Sequence, residues 1–434
     1  MPDTRVALDA AGILALRNFY PGIPVAPPHR DGKKVVLIGG SGDNVAHMSV
    51  PLTVLAEDHE LHVFDFKVSD DPKFPVTQTH LMNTEEGRAS ADDLLTSGDV
   101  GKVYLSVPPE SHKDLIIKYL GYAARGLISG VVVTKPYVLN RKERVEVAIA
   151  HAAALKERSK LTEHAGSLSL GRPGEIGDDS LLWVHEHYQR KEAEQVLYRK
   201  LGEVTAVLGH LTDVTINIEE TNGVDRPTAF GEGAFGDLGS HAISVALDIS
   251  NSIDNDTGGR YAISGHSQST FQRFRYEDAQ VGPNTETGFI VHDKRTLTDH
   301  DLGDSVSDIN YTMTGGKGLV DCKVISLTYK HPDTGEVSMI SVDLSKNTLQ
   351  VPDAVKDLFP KTVYTDNGYG RVMLAGLNGG DPNISFQHPK QAGLVVGLME
   401  DLAKQGQQAE LRVHPKGMRL QDLDSYAIAA IRYF

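Results

Sequence analysis

The chain of 434 residues carries 58 acidic and 43 basic side chains, which gives it a formal net charge of −15. Nucleic acids and anionic membrane surfaces are polyanions, so this charge argues against both as main partners. The single cysteine, Cys322, excludes an internal disulfide framework and multi-cysteine metal sites, and we expect a cytoplasmic protein without a metal site. No apolar stretch approaches the ~18–20 residues that span a bilayer, and residues 1–31 lack the pattern of a signal peptide.

The first part of the chain alternates short apolar runs with helical stretches. The predicted strands are Val35–Ile38, Leu61–Phe66, Val103–Val107 and Ser129–Val133. The predicted helices are Val45–Ala56, Ser111–Arg125 and a helix that Asn140 and Glu143 open as a capping box and that runs to about Ser159. This alternation predicts an α/β domain with a parallel sheet over residues 33–183, preceded by a proline-rich arm over residues 1–32.

After about Gly166 the pattern changes to short strands separated by long polar connections. The predicted strands are Val204–Leu208, Val214–Glu219, Tyr261–Ser267, Leu319–Tyr329 and Met339–Val342. Near the end we predict a helix over Pro389–Lys404, the segment Leu411–Val413 and a last helix over Leu420–Tyr433. Residues 184–434 are therefore expected to form an α+β domain with a large, mostly antiparallel open sheet.

A glycine-rich turn follows the first predicted strand and precedes the first predicted helix. It consists of Gly39, Gly40, Ser41, Gly42 and Asp43. Glycines at this position allow a tight turn and a close approach to a pyrophosphate at the helix N-terminus. Asp65 ends the second strand, where a carboxylate accepts from a ribose 2′-hydroxyl and repels a 2′-phosphate, so NAD is favoured over NADP, although Lys67 weakens this inference. The alternative is an ordinary strand-to-helix turn without a cofactor.

Several motifs in series resemble the glucose-6-phosphate dehydrogenases. They are Gly39-Gly-Ser-Gly-Asp43, Thr134-Lys135-Pro136 in place of Glu-Lys-Pro, Glu186-His-Tyr-Gln-Arg-Lys191-Glu192, and Asn367-Gly-Tyr-Gly-Arg371. Two further stretches are instead similar to the Gfo/Idh/MocA sugar and cyclitol oxidoreductases: Val103-Tyr-Leu-Ser-Val-Pro-Pro-Glu-Ser-His112 and Gly233-Ala-Phe-Gly-Asp237-Leu-Gly-Ser-His241. The resemblance covers the chain from about Lys33 to Leu402 and indicates a divergent member between these families.

The resemblance implies a Rossmann domain, an α+β domain, and a homodimer or homotetramer. It places Pro108 and Lys135 among the residues that bind NAD or NADP and implies a cis peptide bond before Pro136. It implies that the substrate is bound by His187, Tyr188, Lys191 and Glu220. In the glucose-6-phosphate enzymes this substrate is phosphorylated. Arg190 and Lys191 could equally be part of a solvated helix start. Because Glu219 is adjacent to Glu220, the sequence leaves open which of the two matches the substrate-binding glutamate.

Three residues are candidates for the chemical step. Lys135 follows a strand at its carboxyl end, where it could hold a substrate oxygen or, with a lowered pKa, accept a proton. Asp237 and His241 are four residues apart, so on a helix they share one face. A neutral imidazole can take a hydroxyl proton while a carboxylate fixes its tautomer. Each residue also has a purely structural interpretation. Lys135 could be an ordinary lysine at a strand end, Asp237 an aspartate at a helix start and His241 a histidine of the core.

The leading hypothesis is an NAD(P)-dependent oxidoreductase that oxidises a hydroxyl of a sugar, sugar phosphate or cyclitol, as the glucose-6-phosphate dehydrogenases do. Either Lys135 or His241 could be the base. One alternative is a non-catalytic NAD(P)-binding sensor, which the threonine at position 134 favours. Another is an enzyme that uses tightly bound NAD for transient oxidation in an elimination or epimerisation.

Overall fold

The computed structural model describes residues 34–39, 52–53, 55–57, 59–69, 74–164, 181–185, 191–220, 234–256, 261–276, 288–301, 304–317, 321–364, 389–405 and 411–413. The chain divides into two compact units. The first comprises Met1–His187 and Gly368–Val396, and the second comprises Tyr188–Asn367 and Gly397–Phe434. In the part of the chain described above, no helix is long and apolar enough to cross a membrane.

The first unit contains a six-stranded sheet in which every neighbouring pair is parallel. Its strands are β1 (Lys34–Ile38), β2 (Glu60–Asp65), β3 (Gln78–Leu81), β4 (Val100–Leu105), β5 (Ile128–Thr134) and β6 (Leu182–His185). Their order is β3-β2-β1-β4-β5-β6. The central strands are buried on both faces, as expected of a parallel sheet, and the predicted α/β domain with its Rossmann-type order is confirmed.

Three helices of this unit are α1 (Glu85–Thr96), α2 (His112–Ala124) and α3 (Arg141–His164). The predicted cap of α3 is present, because the Glu143 amide donates to Asn140 Oδ1 over 2.9 Å. The Glu143 carboxylate accepts from the amide of Leu139, also over 2.9 Å, and not from that of Asn140. The strand β3 and the helix α1 were not predicted, since the short strand is polar and α1 has few apolar residues.

The second unit contains an eight-stranded sheet of order β13-β12-β11-β7-β10-β9-β8-β14. Its strands are β7 (His210–Glu220), β8 (Tyr261–Tyr276), β9 (Gly288–Asp299), β10 (Asp304–Lys317), β11 (Cys322–Lys330), β12 (Val337–Asp343), β13 (Thr348–Gln350) and β14 (Leu411–Val413). Only the pairs β7–β10 and β8–β14 of this sheet are parallel, which confirms the mostly antiparallel sheet. The helices of this unit include α4 (Glu192–Tyr198), α5 (Leu201–Leu208) and α6 (Ser240–Asp256), and a further helix, α7 (Pro389–Gln405), crosses the boundary between the two units in the chain.

Two strand predictions in this unit need correction. The segment Val204–Leu208 was predicted as a strand, but it belongs to the helix α5. Its buried residues Leu201, Val204, Thr205 and Leu208 recur every three or four positions, and the helix ends at Gly209, which has φ = 92°. The long strands β9 and β10 cover a stretch for which the sequence pattern predicts polar connections. In β9 the alternation is hidden, because the charged residues Asp293 and Arg295 occupy buried positions.

The helix α7 was predicted within the second domain, yet its first part contributes to the core of the first unit. Ala392 and Val396 pack in the cluster that includes the buried residues of β4 and β5. Arg144 of α3 donates from Nη1 to the carbonyl of Gly393 over 2.7 Å. The predicted helices Val45–Ala56 and Leu420–Tyr433 lie mostly or wholly outside the described residues.

Candidate functional site

Gly39 marks the carboxyl end of β1, where the chain leaves the sheet. It has φ = 80°, and a Cβ atom there would lie 2.4 Å from the carbonyl oxygen of Ser106 at the end of β4. Only glycine satisfies both constraints, because other residues rarely adopt this φ and no backbone tolerates such a contact. The strand end is therefore built for a close turn at the position that the glycine-rich motif predicts. Gly40, Ser41, Gly42 and Asp43 lie outside the described residues.

Asp65 ends the neighbouring strand β2, so it lies at the same edge of the sheet as Gly39. One carboxylate oxygen, Oδ1, accepts from the amide of Phe66 over 2.7 Å. Phe66 is 71% exposed, which is unusual for a residue with a large aromatic side chain. The end of β2 thus presents a carboxylate bonded by the next backbone amide, with an exposed aromatic residue beside it.

The ends of β4 and β5 complete this edge. Ser106 is buried, and among the described residues its hydroxyl has no hydrogen-bond partner. Pro108 is exposed and precedes the short helical turn Pro109–Ser111. Lys135 is half-buried directly after β5, and the Lys135–Pro136 bond is cis, as the resemblance implied. A buried Ser106 hydroxyl without a partner among the described residues and a turn that only glycine can make fit a bound dinucleotide, which would supply a polar partner and lie against the turn.

Tyr104 and His185 form a pair that the sequence did not predict. The Tyr104 hydroxyl lies 2.6 Å from His185 Nδ1, and both side chains are buried. His185 is the register partner of Thr134 in β5, so the pair lies at the same carboxyl edge as Lys135. In the sequence, the one available signal is a histidine at the end of the apolar run Leu182–Val184.

In the second unit, Asp237 and His241 lie on a continuous helical segment. Asp237 belongs to a π-helical turn, Phe235–Gly239, that runs directly into α6. π-Helical turns are rare and are often found at functional sites. The four-residue spacing therefore places both side chains on one side of the helix. His241 is buried, whereas Asp237 is half-buried.

Gly239 lies between Asp237 and His241, and the packing around it explains why this position is a glycine. A Cβ atom at this position would lie 2.6 Å from the ring of Phe235. That ring in turn packs against Phe271 and Phe289, with centroids 4.3 and 5.1 Å away. The glycine is thus required by the packing of the π-helical turn onto the sheet.

The helix α6 is held on the sheet by a buried polar network. Arg295 of β9 donates from Nε to Asp293 over 2.8 Å and from Nη1 to Ser250 of α6 over 2.7 Å. Its guanidinium carbon lies 4.1 Å from the ring centroid of Tyr311, whose hydroxyl is 3.1 Å from Ser250 Oγ. Both charged groups are almost completely buried, so the network fixes the helix that carries His241.

The two adjacent glutamates, Glu219 and Glu220, point to opposite faces of the second sheet. Glu220 alternates with Ile218 and Ile216 on the face of the sheet that packs on α6, and it pairs with Lys323 over 3.3 Å. Glu219 therefore points to the opposite face. There it accepts from Asn217 Nδ2 over 2.7 Å, and burial raises the pKa of the Glu219 carboxyl. Glu220, Asp237 and His241 thus lie on one side of this sheet.

The other predicted substrate residues are only partly described. His187 and Tyr188 lie outside the described residues. Lys191 is half-buried at the position that precedes α4. The structure therefore gathers Gly39, Asp65, Pro108 and Lys135 at one edge of the first unit, and Glu220, Asp237 and His241 on one side of the second.

No protein-family model and no curated protein matches this sequence. Solved structures, however, match over most of its length. An oxidoreductase domain protein from Kribbella flavida has a TM-score of 0.55 at 15% identity, over 86% of this chain and 96% of that one. The WlbA dehydrogenase from Chromobacterium violaceum, solved with NADH and UDP-GlcNAcA, has a TM-score of 0.53 at 16% identity, over 88% and 96%.

KijD10, a 3-ketoreductase from Actinomadura kijaniata solved with NADP and TDP-benzene, has a TM-score of 0.51 at 13% identity, over 88% of this chain and 99% of that one. The chain therefore shares the two-domain fold of these solved oxidoreductases, with a Rossmann-type domain and a second domain built on a large sheet. At these identities it is the fold that the likeness establishes.

Proposed function

We propose that the protein is an NAD(P)-dependent oxidoreductase that acts on a hydroxyl of a sugar-like substrate. The observation that carries the proposal is the geometry of Gly39, which has a positive φ and no room for a Cβ atom beside Ser106. A turn of this kind at the first strand of a doubly wound sheet is where a dinucleotide pyrophosphate binds. Solved proteins of the same fold contain NADH or NADP.

The cofactor would lie along the carboxyl edge of the first sheet. The Gly39 turn would face the pyrophosphate and the Asp65 carboxylate would accept from a ribose hydroxyl, which favours NAD over NADP. The Ser106 hydroxyl, Pro108 and Lys135 would line the nicotinamide half. When bound, the nicotinamide supplies a hydride acceptor.

The chain's own residues would handle the proton and hold the substrate. His241 would take the hydroxyl proton at one ring nitrogen, and Asp237 would stabilise the resulting imidazolium. Lys135 would hold a substrate oxygen through its ammonium, or act as the base itself if its pKa were lowered. Glu220 would accept from substrate hydroxyls. This division follows the resemblance and assigns each residue a chemistry that its side chain can perform.

The substrate class is proposed as a sugar, a sugar phosphate, a nucleotide sugar or a cyclitol. Two solved proteins of the same fold contain nucleotide-linked ligands, UDP-GlcNAcA and TDP-benzene. The stretch around Lys191 is the candidate for an anionic group of the substrate, and oxidation at C1 of glucose 6-phosphate is one case within this class. We also propose a homodimer or homotetramer, which light scattering will check.

The test begins with cofactor binding. The fluorescence of NADH should increase when it binds the protein, and Gly39→Ala should abolish this binding. Gly335→Ala is the matched control, because Gly335 also has a positive φ, of 71°, but its Cβ would meet nothing within 4 Å. Equal loss of binding in both variants, or no binding by the natural protein, would remove the basis of the proposal.

Turnover is then measured by nicotinamide absorbance with a panel of sugars, sugar phosphates, nucleotide sugars and cyclitols. Reduction of NAD⁺ by at least one class is the expected result. NADH binding without turnover on the whole panel would select the sensor instead. A cofactor that co-purifies with the protein and shows no net reduction would instead favour an enzyme that uses tightly bound NAD for transient oxidation in an elimination or epimerisation.

A further inference from the structure

His112, the first residue of α2, lies between two backbone segments at the carboxyl edge of the first sheet. Its Nδ1 is 2.8 Å from the carbonyl oxygen of Pro136, and its Nε2 is 2.8 Å from the carbonyl oxygen of Val107. The imidazole is completely buried. Val107 precedes Pro108 and Pro136 follows Lys135, so one side chain joins the segments that carry two of the predicted cofactor contacts.

Both partners of the ring are carbonyl oxygens, which only accept hydrogen bonds. A neutral imidazole has one N–H and can donate to one of them, whereas an imidazolium donates to both. Burial lowers the pKa of His112, while the two carbonyl groups and the carboxylates of Glu110 and Glu143 act in the opposite direction. Whether neutral or protonated, the ring donates a hydrogen bond to at least one of the two carbonyl groups. Because the ring is buried, this bond is made directly and not through water.

The segment around Lys135 is a short half-buried span between buried residues. Val133 on one side and Tyr137 and Val138 on the other are buried in the core of the first unit. Thr134, Lys135 and Pro136 between them are half-buried, so they form a short span between two fixed points. His112 contacts this span at Pro136, directly beside Lys135.

We propose that His112 is a positioning residue for Lys135: its buried ring lies between the carbonyl groups of Pro136 and Val107, donates to one or both of them, and thereby sets where the Lys135 ammonium lies. The proposal rests on the proposed function only for its consequence in catalysis. The position of the ammonium itself is a property of the protein without ligands, and it can be measured without knowing the substrate.

The primary experiment measures the reaction of each lysine amine with acetic anhydride across a pH series, by mass spectrometry of the cofactor-free protein. His112→Phe keeps an aromatic ring and removes both ring nitrogens, and His112→Asn keeps a donor near the position of Nδ1. The matched control is His151→Phe, which removes another buried histidine of the same unit, whose Nε2 accepts from the Leu181 amide over 3.1 Å. Lys346, on an exposed hairpin of the second unit, is the internal reference.

In His112→Phe we expect the titration midpoint and reactivity of Lys135 to change, with the reactivity altered by about tenfold, because the ammonium leaves its fixed environment. His112→Asn should fall between this variant and the natural protein, and His151→Phe and Lys346 should be unaffected. If His112→Phe does not fold, the Asn variant and His112→Gln decide the question. An unchanged Lys135 titration in folded His112 variants, or an equal change in His151→Phe, overturns the proposal.

Kinetics give a second readout once a substrate is found. A displaced Lys135 should lower kcat by about tenfold to a hundredfold and weaken NADH binding by much less, because the Gly39 turn and Asp65 would still hold the rest of the cofactor. A parallel loss of kcat and NADH affinity would show a general structural defect and contradict the proposal. Failure of the natural protein to bind NADH would overturn the proposed function but leave the lysine titration interpretable.

Discussion

Tyr104 and His185 are hydrogen-bonded across the strand that separates them, with the hydroxyl oxygen 2.6 Å from Nδ1, although they are 81 residues apart in the chain. Both are buried at the carboxyl edge of the first sheet, where Val132 and Thr134 of β5 are their register partners. The pair therefore fixes the end of β6 to β4 beside the position of Lys135.

A double-mutant cycle should measure this pair directly. Tyr104→Phe leaves the buried imidazole without this bond and should lower the free energy of unfolding by about 1–3 kcal/mol. His185→Asn should cost a similar amount, and the double variant should cost less than the sum by about 0.5 kcal/mol or more. Urea unfolding of the four proteins checks this. Strict additivity of the two single changes would show that the two groups do not interact.

The buried pair of Arg295 and Asp293 should be essential for the second unit. Their side chains are only 5% and 3% exposed, so Asp293→Ala would leave a buried guanidinium without its counter-charge. We expect a loss of about 3–5 kcal/mol, measured by chemical denaturation.

Asp308→Ala is the matched control for this prediction. Asp308 pairs with Lys294, the neighbour of Arg295, but these side chains are 54% and 43% exposed. Removing an exposed pair should cost no more than about 1 kcal/mol. Similar losses in the two variants would mean that burial does not govern the contribution of these pairs.

The paired histidines His62 and His80 should make the first unit sensitive to acid. Nδ1 of His62 lies 3.1 Å from Nε2 of His80, and Glu60 lies 3.3 Å from the other ring nitrogen of His62. Burial lowers the pKa of both histidines, an effect that Glu60 opposes and Lys34 reinforces for His62. The folded state therefore prefers the neutral rings.

Because both pKa values are depressed in the folded state, the stabilisation is present above the unfolded histidine pKa of about 6.5 and is lost as the pH falls below it. The free energy of unfolding should thus decrease between about pH 7.5 and about pH 5 more steeply than in a His62→Phe, His80→Phe double variant. Circular dichroism in urea at several pH values measures both slopes. Parallel slopes would contradict the prediction.

Asp65 should decide the cofactor preference. Asp65→Ser removes the carboxylate that would bond a ribose hydroxyl and repel a 2′-phosphate, so the ratio of NADPH to NADH affinity should rise by about tenfold or more. Fluorescence titration with both cofactors measures the ratio. Asp99→Ser is the control, since it removes an exposed carboxylate of the same unit that pairs with Lys34 over 3.3 Å. A ratio that is unchanged in Asp65→Ser would assign the preference to other residues.

Much of the first unit could be predicted from the sequence alone, because its signals are local. The buried parallel strands are continuous apolar runs such as Val35–Ile38, and the start of α3 is encoded by Asn140 and Glu143 three residues apart. Gly39 was identified because a tight turn after a strand demands a residue that tolerates a positive φ. The four-residue spacing of Asp237 and His241 was likewise enough to place them on one helical face.

Other features depend on residues that are distant in the chain, and only the tertiary structure decided them. The apolar run Val204–Leu208 suits a strand or a helix, and packing selected the helix. The strand β9 was hidden because Asp293 and Arg295 neutralise each other inside the core, which no periodicity reveals. The bridge from His112 to Val107 and Pro136 joins three segments whose proximity follows from the order of the strands. Local patterns therefore determined the elements, and long-range contacts determined which side chains meet at the site.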